Sequence, residues 1–159
     1  MSRPKEKTSR IMSAIKSENT RPELLLRKEI WRRGLRYKVN EKTIVGKPDI
    51  VFTRAKLAVF CDGDFWHGNN WAIRGLNSLE DELRSYSPFW REKILNNIER
   101  DKNVNNELIR SGWTVLRFWA SDIEKNVQIC ADIIQTNYKK NLNNVAHDPT
   151  TDLKLYCAL

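Results

Sequence analysis

The segment Gly46–His67 constrains the fold of this chain more than any other stretch, because it predicts a β-hairpin. Its two short apolar runs, DIVF and LAVFC, are rich in strand-forming residues, and the residues TRAK between them are typical of a turn. In an antiparallel pair, the start of the first strand lies beside the end of the second. We therefore expect the carboxylates of Asp49 and Asp62 to converge at one end of the hairpin.

The hairpin is followed directly by a glycine, two aromatic rings and an imidazole, at Gly63, Phe65, Trp66 and His67. Mg²⁺ prefers oxygen ligands, histidine transfers protons near neutral pH, and aromatic rings stack on nucleic-acid bases. The combination favours metal-assisted hydrolysis of a phosphodiester. The structural alternative is that Asp49 is only a turn residue and that the two rings belong to the core.

The positive charge of the chain is concentrated at its beginning. The net charge is +8, and residues 1–40 contain 12 basic residues against 4 glutamates, whereas the remainder is balanced. A basic tail on a solvated surface is one interpretation. In a chain with six tryptophans, a surplus this concentrated favours a polyanionic partner such as nucleic acid.

Composition also disfavours several classes of protein. No apolar run has the length of a membrane span or the form of a signal region, so we expect a cytosolic protein. Three widely spaced cysteines are unsuited to a metal knuckle, and their odd number argues against a disulfide scaffold. His67 and His147 are the only histidines, which leaves few ligands for a zinc site.

The predicted elements alternate between helices and strands. Helices are expected from the capping box Thr20–Glu23 to Gly34, from Pro88 to just before Gly112, and from a second capping box at Ser121–Glu124. The predicted strands cover 36–40, 49–52, 57–61 and 114–119. This order predicts a single α/β domain in which a small mixed central sheet is flanked by helices.

The domain is expected to cover residues 1–140. Residues 1–7 form a mobile basic arm in this prediction, and a short helix follows from Thr8 or Ser9. Residues 69–85 are polar and irregular with some helical character, and we expect them to form a surface flap. The Asn-rich residues 141–159 are predicted to be a weakly structured tail.

One acid lies on the apolar stripe of the long predicted helix. Trp90, Ile94, Ile98 and Leu108 recur at helical spacing, and Asp101 falls among them. A carboxylate that faces the core is costly unless it is paired. Its partner is either His67 or a basic residue at the helix edge, namely Arg100, Lys102 or Arg117.

Five segments of the chain occur in an order and at spacings that resemble the very short patch repair endonucleases: SAIKSENTRPE, GKPDIVF, VFCDGDFWHG, FWREKILNNIERD and GWTVLRFW. The resemblance spans residues 13–119. It implies the PD-(D/E)xK nuclease fold and an enzyme that nicks one strand beside a T·G mismatch left by deamination of 5-methylcytosine.

The resemblance also implies roles for the residues of the hairpin end. Asp49 would be the principal Mg²⁺ ligand, together with the backbone carbonyl of Cys61. Glu23 and Asp62 would hold metal-bound waters, although Glu23 is equally well explained as a helix-capping residue. His67 would be the general base.

Further roles follow from the same resemblance. Asp101 would orient the general base, and the rings of Phe65, Trp66 and Trp90 would form a wedge that enters the base stack at the mismatch. Members of the family hold a zinc beside the active site, whose ligand positions correspond here to Asp64, Asn69, Trp71 and Ser121. These residues make no zinc site, so we expect hydrogen bonds and packing, with Trp71 in the place of the zinc, to hold the loop.

The family further implies a monomer that acts on double-stranded DNA with a T·G mismatch, contacts other mismatch-repair proteins and resides in the bacterial cytoplasm at the nucleoid. Two alternatives remain at this point: a sequence-specific restriction-type endonuclease on the same fold, and a DNA-binding module without catalysis. The joint presence of five acid and imidazole groups argues against the second. The aromatic wedge distinguishes a mismatch enzyme from a restriction-type one.

Overall fold

The computed structural model describes residues 18–146, and within this range the chain forms five helices and four strands. The helices are α1 (Arg21–Arg32), α2 (Asn70–Ile73), α3 (Leu79–Arg84), α4 (Pro88–Arg110) and α5 (Ala120–Ala146). The strands are β1 (Lys38–Val39), β2 (Ile50–Phe52), β3 (Leu57–Asp62) and β4 (Thr114–Trp119). The predicted arm at 1–7 and the short helix after it lie outside the described residues.

The four strands form one mixed sheet in the order β1-β2-β3-β4. Strands β1, β2 and β3 pair in antiparallel fashion, and β4 pairs parallel to β3, with Phe60 opposite Arg117 and Asp62 opposite Trp119. The connection from β3 to β4 carries α2, α3 and α4, as a parallel crossover requires. The predicted hairpin and the α/β fold with flanking helices are confirmed.

Alternation of side chains along β3 divides the apolar residues between two faces of the sheet. Leu57 and Val59 belong to the larger core, which also includes buried residues of α1 and α5 such as Leu26 and Ile134. Ala58 and Phe60 belong to a smaller core that includes Leu108 of α4. The sheet is therefore covered by helices on both faces, and Phe60, Asp62 and the paired residue Arg117 lie on the α4 face.

Two segments differ from their prediction. The segment 69–85 has the expected helical character in the short helices α2 and α3, but it is not only a surface flap, because Leu83 in the second helix is buried. Helix α5 continues through Ala146, so the expected domain end at residue 140 falls inside a helix, and the rest of the predicted tail lies outside the described residues. No helix within residues 18–146 is both long and apolar enough to cross a membrane.

Candidate active site

A cleft of about 810 Å³ opens at the end of the hairpin, between α1, α4 and the tip of β3. All five predicted acid and imidazole groups line it, together with Cys61 and Trp66; the five are Glu23, Asp49, Asp62, His67 and Asp101. Polar and basic residues complete the walls, including Asn40, Lys47, Lys93, Asn97 and Arg100. The fold thus brings into one cleft groups that are spread from residue 23 to residue 101.

Asp49 sits at the start of β2, where its carboxylate accepts a hydrogen bond of 2.7 Å from the backbone N–H of Cys61. Burial raises the pKa of Asp49 to about 6, and the neighbouring carboxylates of Glu23 and Asp62 contribute to the rise, whereas the Cys61 N–H and Arg27 oppose it. The Cys61 N–H and Arg27 therefore stabilise the ionised Asp49 carboxylate only in part.

Glu23 is buried at the start of α1, with only 3% of its surface exposed. Its carboxylate accepts hydrogen bonds of 2.8 Å from the backbone N–H of Asn19 and from the hydroxyl of Thr20, and it pairs with Arg27 at 3.1 Å. The predicted capping box is incorrect in one respect, because the Thr20 side chain donates to Glu23 and makes no hydrogen bond to the helix amides. Arg27 also donates to the backbone oxygen of Asp49 at 3.3 Å and so ties α1 to the hairpin.

These residues fit a hard divalent cation. A partly buried carboxylate with other acids nearby is stabilised by a cation, and oxygen ligands suit Mg²⁺. Burial, reinforced by the charge of Asp49, raises the pKa of the Cys61 thiol well above its usual value. The thiol therefore stays neutral and is a poor ligand, which leaves the backbone of Cys61 as its contribution to a metal site.

His67 and Asp101 form a hydrogen-bonded pair that joins the loop after β3 to the middle of α4. Nδ1 of His67 contacts Oδ2 of Asp101 and lies 3.8 Å from Oδ1 of Asp62. Burial raises the pKa of Asp101, but the hydrogen bond and charge of His67, with help from Arg117, outweigh this effect and leave the pKa below its usual value. Asp101 is therefore ionised, and a neutral His67 carries its proton on Nδ1, which leaves Nε2 free to accept one.

Both partners that the sequence offered for Asp101 are present at once, because Nη2 of Arg117 lies 3.3 Å from Oδ1 of Asp101. The same guanidinium donates to both carboxylate oxygens of Asp62 at 2.8 Å. The pairing of Arg117 with Asp62 was not predicted. It depends on the register of β4 against β3, which the sequence pattern does not give.

The three proposed wedge residues contact one another in a single aromatic cluster. The ring centroids of Phe65, Trp66 and Trp90 are 5.2–5.7 Å apart, with the rings in edge-to-face arrangements. All three rings are partly exposed, so they are not core residues.

Sequence reasoning missed three members of this cluster, of which Tyr86 packs on Phe65 at 5.6 Å. Phe89 packs on Trp90 at 5.1 Å and is 64% exposed, while Lys93 places its ammonium 5.3 Å from the Trp66 ring and 5.7 Å from the Trp90 ring. A signal was available, since 89, 90 and 93 lie on adjacent positions of one helical surface.

Hydrogen bonds hold the loop at the positions that correspond to the family's zinc ligands. The carboxylate of Asp64 accepts from the side chain of Asn69 at 2.7 Å, from the hydroxyl of Ser121 at 2.8 Å and from the backbone N–H of Ser121 at 3.0 Å. The predicted capping box at Ser121 is wrong, because the cap of α5 is Asp64 from a distant loop and not Glu124. Trp71 lies partly buried on α2.

The loop ends at Gly68, which has a φ of +80°. This φ favours glycine, and a Cβ at this position would also lie 2.7 Å from Cδ1 of Ile98 on α4, so a larger residue would strain the backbone and displace the end of the Ile98 side chain. The loop is thereby anchored to α5 through Asp64 and to α4 through Gly68, and Asn97 adds a hydrogen bond of 3.0 Å to the backbone oxygen of Trp66.

Comparisons with known proteins identify relatives of this chain. The family described as DNA mismatch endonuclease Vsr matches residues 3–73. The chain is 44% identical to the type II nicking enzyme V.HpaIIP of Haemophilus parainfluenzae over 123 residues, which cover 77% of this chain and 84% of that protein. It is 44% identical to the type II nicking enzyme V.NmeDIP of Neisseria meningitidis serogroup C over 82% of this chain and 84% of that one.

A further relative carries the name of the family itself. The chain is 32% identical to the DNA mismatch endonuclease Vsr of Escherichia coli K12 over 111 residues, which cover 70% of this chain and 67% of that protein. The similarity to these two nicking enzymes extends over more than two thirds of both chains, at 44% identity. This chain therefore belongs to the Vsr family of DNA mismatch endonucleases and is an endonuclease that nicks DNA.

Proposed function

We propose that the enzyme uses Mg²⁺ to nick one strand of double-stranded DNA beside a T·G mismatch that arises from deamination of 5-methylcytosine. The observation that carries this proposal is the aromatic cluster of Phe65, Trp66 and Trp90 beside a cleft that holds carboxylates and a His–Asp pair. Cleavage of an intact duplex needs no exposed rings next to the catalytic groups, whereas entry into a base stack does.

The energetics of base opening support mismatch selectivity. Unstacking a base step costs a few kcal/mol, and least where the pair is already imperfect. Stacking of a base on an aromatic ring returns about 1–3 kcal/mol. The two terms nearly cancel, so a weakened T·G step tips the balance where a matched step does not. Lys93, within cation–π distance of Trp66, adds positive charge where the phosphates of an opened step would lie.

Asp49 and the backbone of Cys61 would hold the metal, and Glu23 keeps the proposed role of ordering metal-bound water. When bound, the ion supplies charge stabilisation at the phosphoryl oxygens and an acidified water. His67 would take a proton from the attacking water at Nε2. Asp101 holds the imidazole in the required tautomer and stabilises the imidazolium that forms, because its carboxylate faces Nδ1.

One chain supplies every group that this scheme requires, so we propose that the enzyme acts as a monomer. Basic residues of the first 40 positions, including those of the arm at 1–7, would contact phosphates without reading bases. Within residues 18–40 several of the cations are already paired, as with Arg27 on Glu23 and Arg32 on Glu29. The DNA contacts are therefore expected mainly from the cations that remain outside such pairs.

The test is a nicking assay on labelled duplexes that differ in one base pair. Duplexes with a single T·G mismatch and their matched T·A and C·G counterparts, in varied flanking sequence, are incubated with enzyme and Mg²⁺ or with EDTA. We expect a single-strand nick only in T·G duplexes with Mg²⁺. Asp49→Asn is the matched control, because asparagine can still accept the Cys61 hydrogen bond. If matched duplexes were cleaved as fast as T·G duplexes at one particular sequence, the enzyme would be a restriction-type endonuclease and the proposal would be wrong.

A further inference from the structure

Arg117 is a partly buried cation whose guanidinium has a partner for each of its nitrogen atoms. Nη1 donates to both oxygens of Asp62 at 2.8 Å, Nη2 lies 3.3 Å from Asp101, and Nε donates to Asn105 at 2.9 Å. The guanidinium also lies 4.2 Å from the centre of the Phe60 ring. The side chain therefore joins β4 to the end of β3 and to two turns of α4.

The carboxylates that Arg117 binds are otherwise arranged like a metal site. Ligand atoms of Asp62, His67 and Asp101 lie within 4.8 Å of one another, a spacing at which three such groups could hold a divalent ion. Two-metal nucleases use a second ion about 3.5–4 Å from the first. In this protein the guanidinium already bridges Asp62 and Asp101, and its contacts occupy both oxygens of Asp62 and one oxygen of Asp101 that a metal would need.

We propose that Arg117 is a positioning residue that serves as a fixed cation in this half of the site. It excludes a divalent ion from Asp62 and Asp101, confines the metal to Asp49, and holds Asp101 against His67. The proposal rests on the proposed metal-dependent function, and it changes one role within it: Asp62 anchors Arg117 and does not hold a metal-bound water.

The chemistry of arginine makes this role specific. A guanidinium is always charged and presents its donors in a rigid planar fork, so it can bridge two carboxylates at fixed angles. Lysine at position 117 would supply a point charge to one carboxylate at a time. Loss of the charge would leave Asp62 and Asp101 close together without a counter-ion, which a divalent cation would then provide.

The primary test counts bound Mn²⁺ by electron paramagnetic resonance of the free ion, with no DNA present. We compare the wild type, Arg117→Met, Arg117→Lys and the double variant Arg117→Met/Asp62→Asn. We expect Arg117→Met to bind one more Mn²⁺ per chain than the wild type, and the double variant to lose that additional ion. An unchanged Mn²⁺ count in Arg117→Met would overturn the proposal.

A second measurement covers the case in which circular dichroism shows Arg117→Met to be unfolded. Asp49→Asn keeps Arg117 in place, and we expect it to bind no Mn²⁺. The proposal would be refuted if Asp49→Asn still bound a Mn²⁺ ion and the double variant Asp49→Asn/Asp62→Asn did not. That result would show that Asp62 binds metal even with Arg117 in place.

Kinetics separate positioning from general destabilisation. Arg117→Met should lower kcat on T·G duplexes by about tenfold to a hundredfold and change KM for DNA little. The loss is smaller than the full contribution of a general base, because His67 stays in place but is less well oriented. Arg117→Lys should recover part of this loss. A rise in KM with kcat intact would identify Arg117 as a DNA contact instead. If the wild type fails to nick T·G duplexes, the proposed function fails, while the Mn²⁺ counts still decide the role of Arg117.

Discussion

Replacing Asp64 by alanine should loosen the loop that carries both the proposed wedge and the proposed general base. Asp64 makes three hydrogen bonds through its carboxylate, one to Asn69 within the loop and two to Ser121 at the start of α5. The loop between Asp64 and Gly68 contains Phe65, Trp66 and His67. Asp64→Ala removes its tie to α5 and leaves the tie to α4.

The magnitude follows from these contacts. Hydrogen bonds to a charged group contribute about 1.5–3 kcal/mol each, and an anion at a helix N-terminus roughly 0.3–2 kcal/mol. The site is partly exposed, so water replaces much of the loss, and we expect the free energy of unfolding to fall by about 2–4 kcal/mol. For a protein of this size that corresponds to a decrease in Tm of roughly 5–15 °C.

The assay combines thermal unfolding with single-turnover nicking of a T·G duplex. Displacement of catalytic groups by about 1 Å costs up to a hundredfold, so nicking by Asp64→Ala should slow by about tenfold to a hundredfold well below its Tm. Asp132→Ala is the control. It removes a different ion pair, that of Asp132 with Arg33, in which the Asp132 side chain is 65% exposed. Its Tm should change by less than about 3 °C, as for a surface ion pair.

Two results would refute the reasoning about Asp64. Equal changes in Tm for Asp64→Ala and Asp132→Ala would mean that the Asp64 network carries no special stability. Elemental analysis that found one tightly held zinc per chain, lost in Asp64→Ala, would mean that Asp64 is a metal ligand. We expect no stoichiometric zinc in the wild type.

Four further predictions concern other groups. Because the pKa of Asp49 is raised to about 6 from 3.8, the metal-free protein should lose stability as pH rises from about 4 to 6, by up to about 3 kcal/mol. Asp49→Asn should abolish nicking yet show a higher Tm than the wild type at pH 8 without metal; a lower Tm would contradict the raised pKa. His67→Ala and Asp101→Asn should each slow nicking by about 10²–10⁴-fold, and the double variant little more than the worse single one; additive losses would make Asp101 merely structural. Trp66→Ala should reduce nicking of T·G duplexes by about tenfold to a hundredfold with little effect on nonspecific binding, and equal losses on matched DNA would exclude a wedge. Deletion of residues 1–7 should reduce the salt dependence of DNA binding equally for matched and mismatched DNA, because each phosphate contact contributes about −0.9 to the slope of log K against log salt. If the deletion changed only the preference for mismatched DNA, the arm would contact bases.

Local patterns predicted the part of the site that lies on the hairpin. The apolar runs beside Asp49 and Asp62 predicted both strands and the end of the hairpin at which the two acids meet, because strand-forming runs and turns are local properties. The stripe on the long helix likewise singled out Asp101 as an acid in need of a partner. These predictions required no knowledge of how distant elements pack.

The contacts that could not be predicted join elements far apart in the chain. Arg117 reaches Asp62 only because β4 pairs with β3 in one register, and Asp64 caps α5 across 57 positions of sequence. The capping-box rule assigned Ser121 to its neighbour Glu124, since the rule considers only residues within one turn of a helix. In the folded chain the carboxylate of Asp64, which is distant in sequence, takes the place of Glu124 as the partner of Ser121.

The parallel pairing of β3 with β4 has a consequence for synthesis of the enzyme. A ribosome synthesises Asp49 68 residues and His67 50 residues before Arg117, and the crossover through α4 must form before β4 can join the sheet. Asp101 cannot be clamped until that strand has docked. A nascent chain without β4 therefore carries the proposed wedge and metal ligand but lacks the contact of Arg117 with Asp101. We expect such a chain to nick DNA more slowly than the complete enzyme.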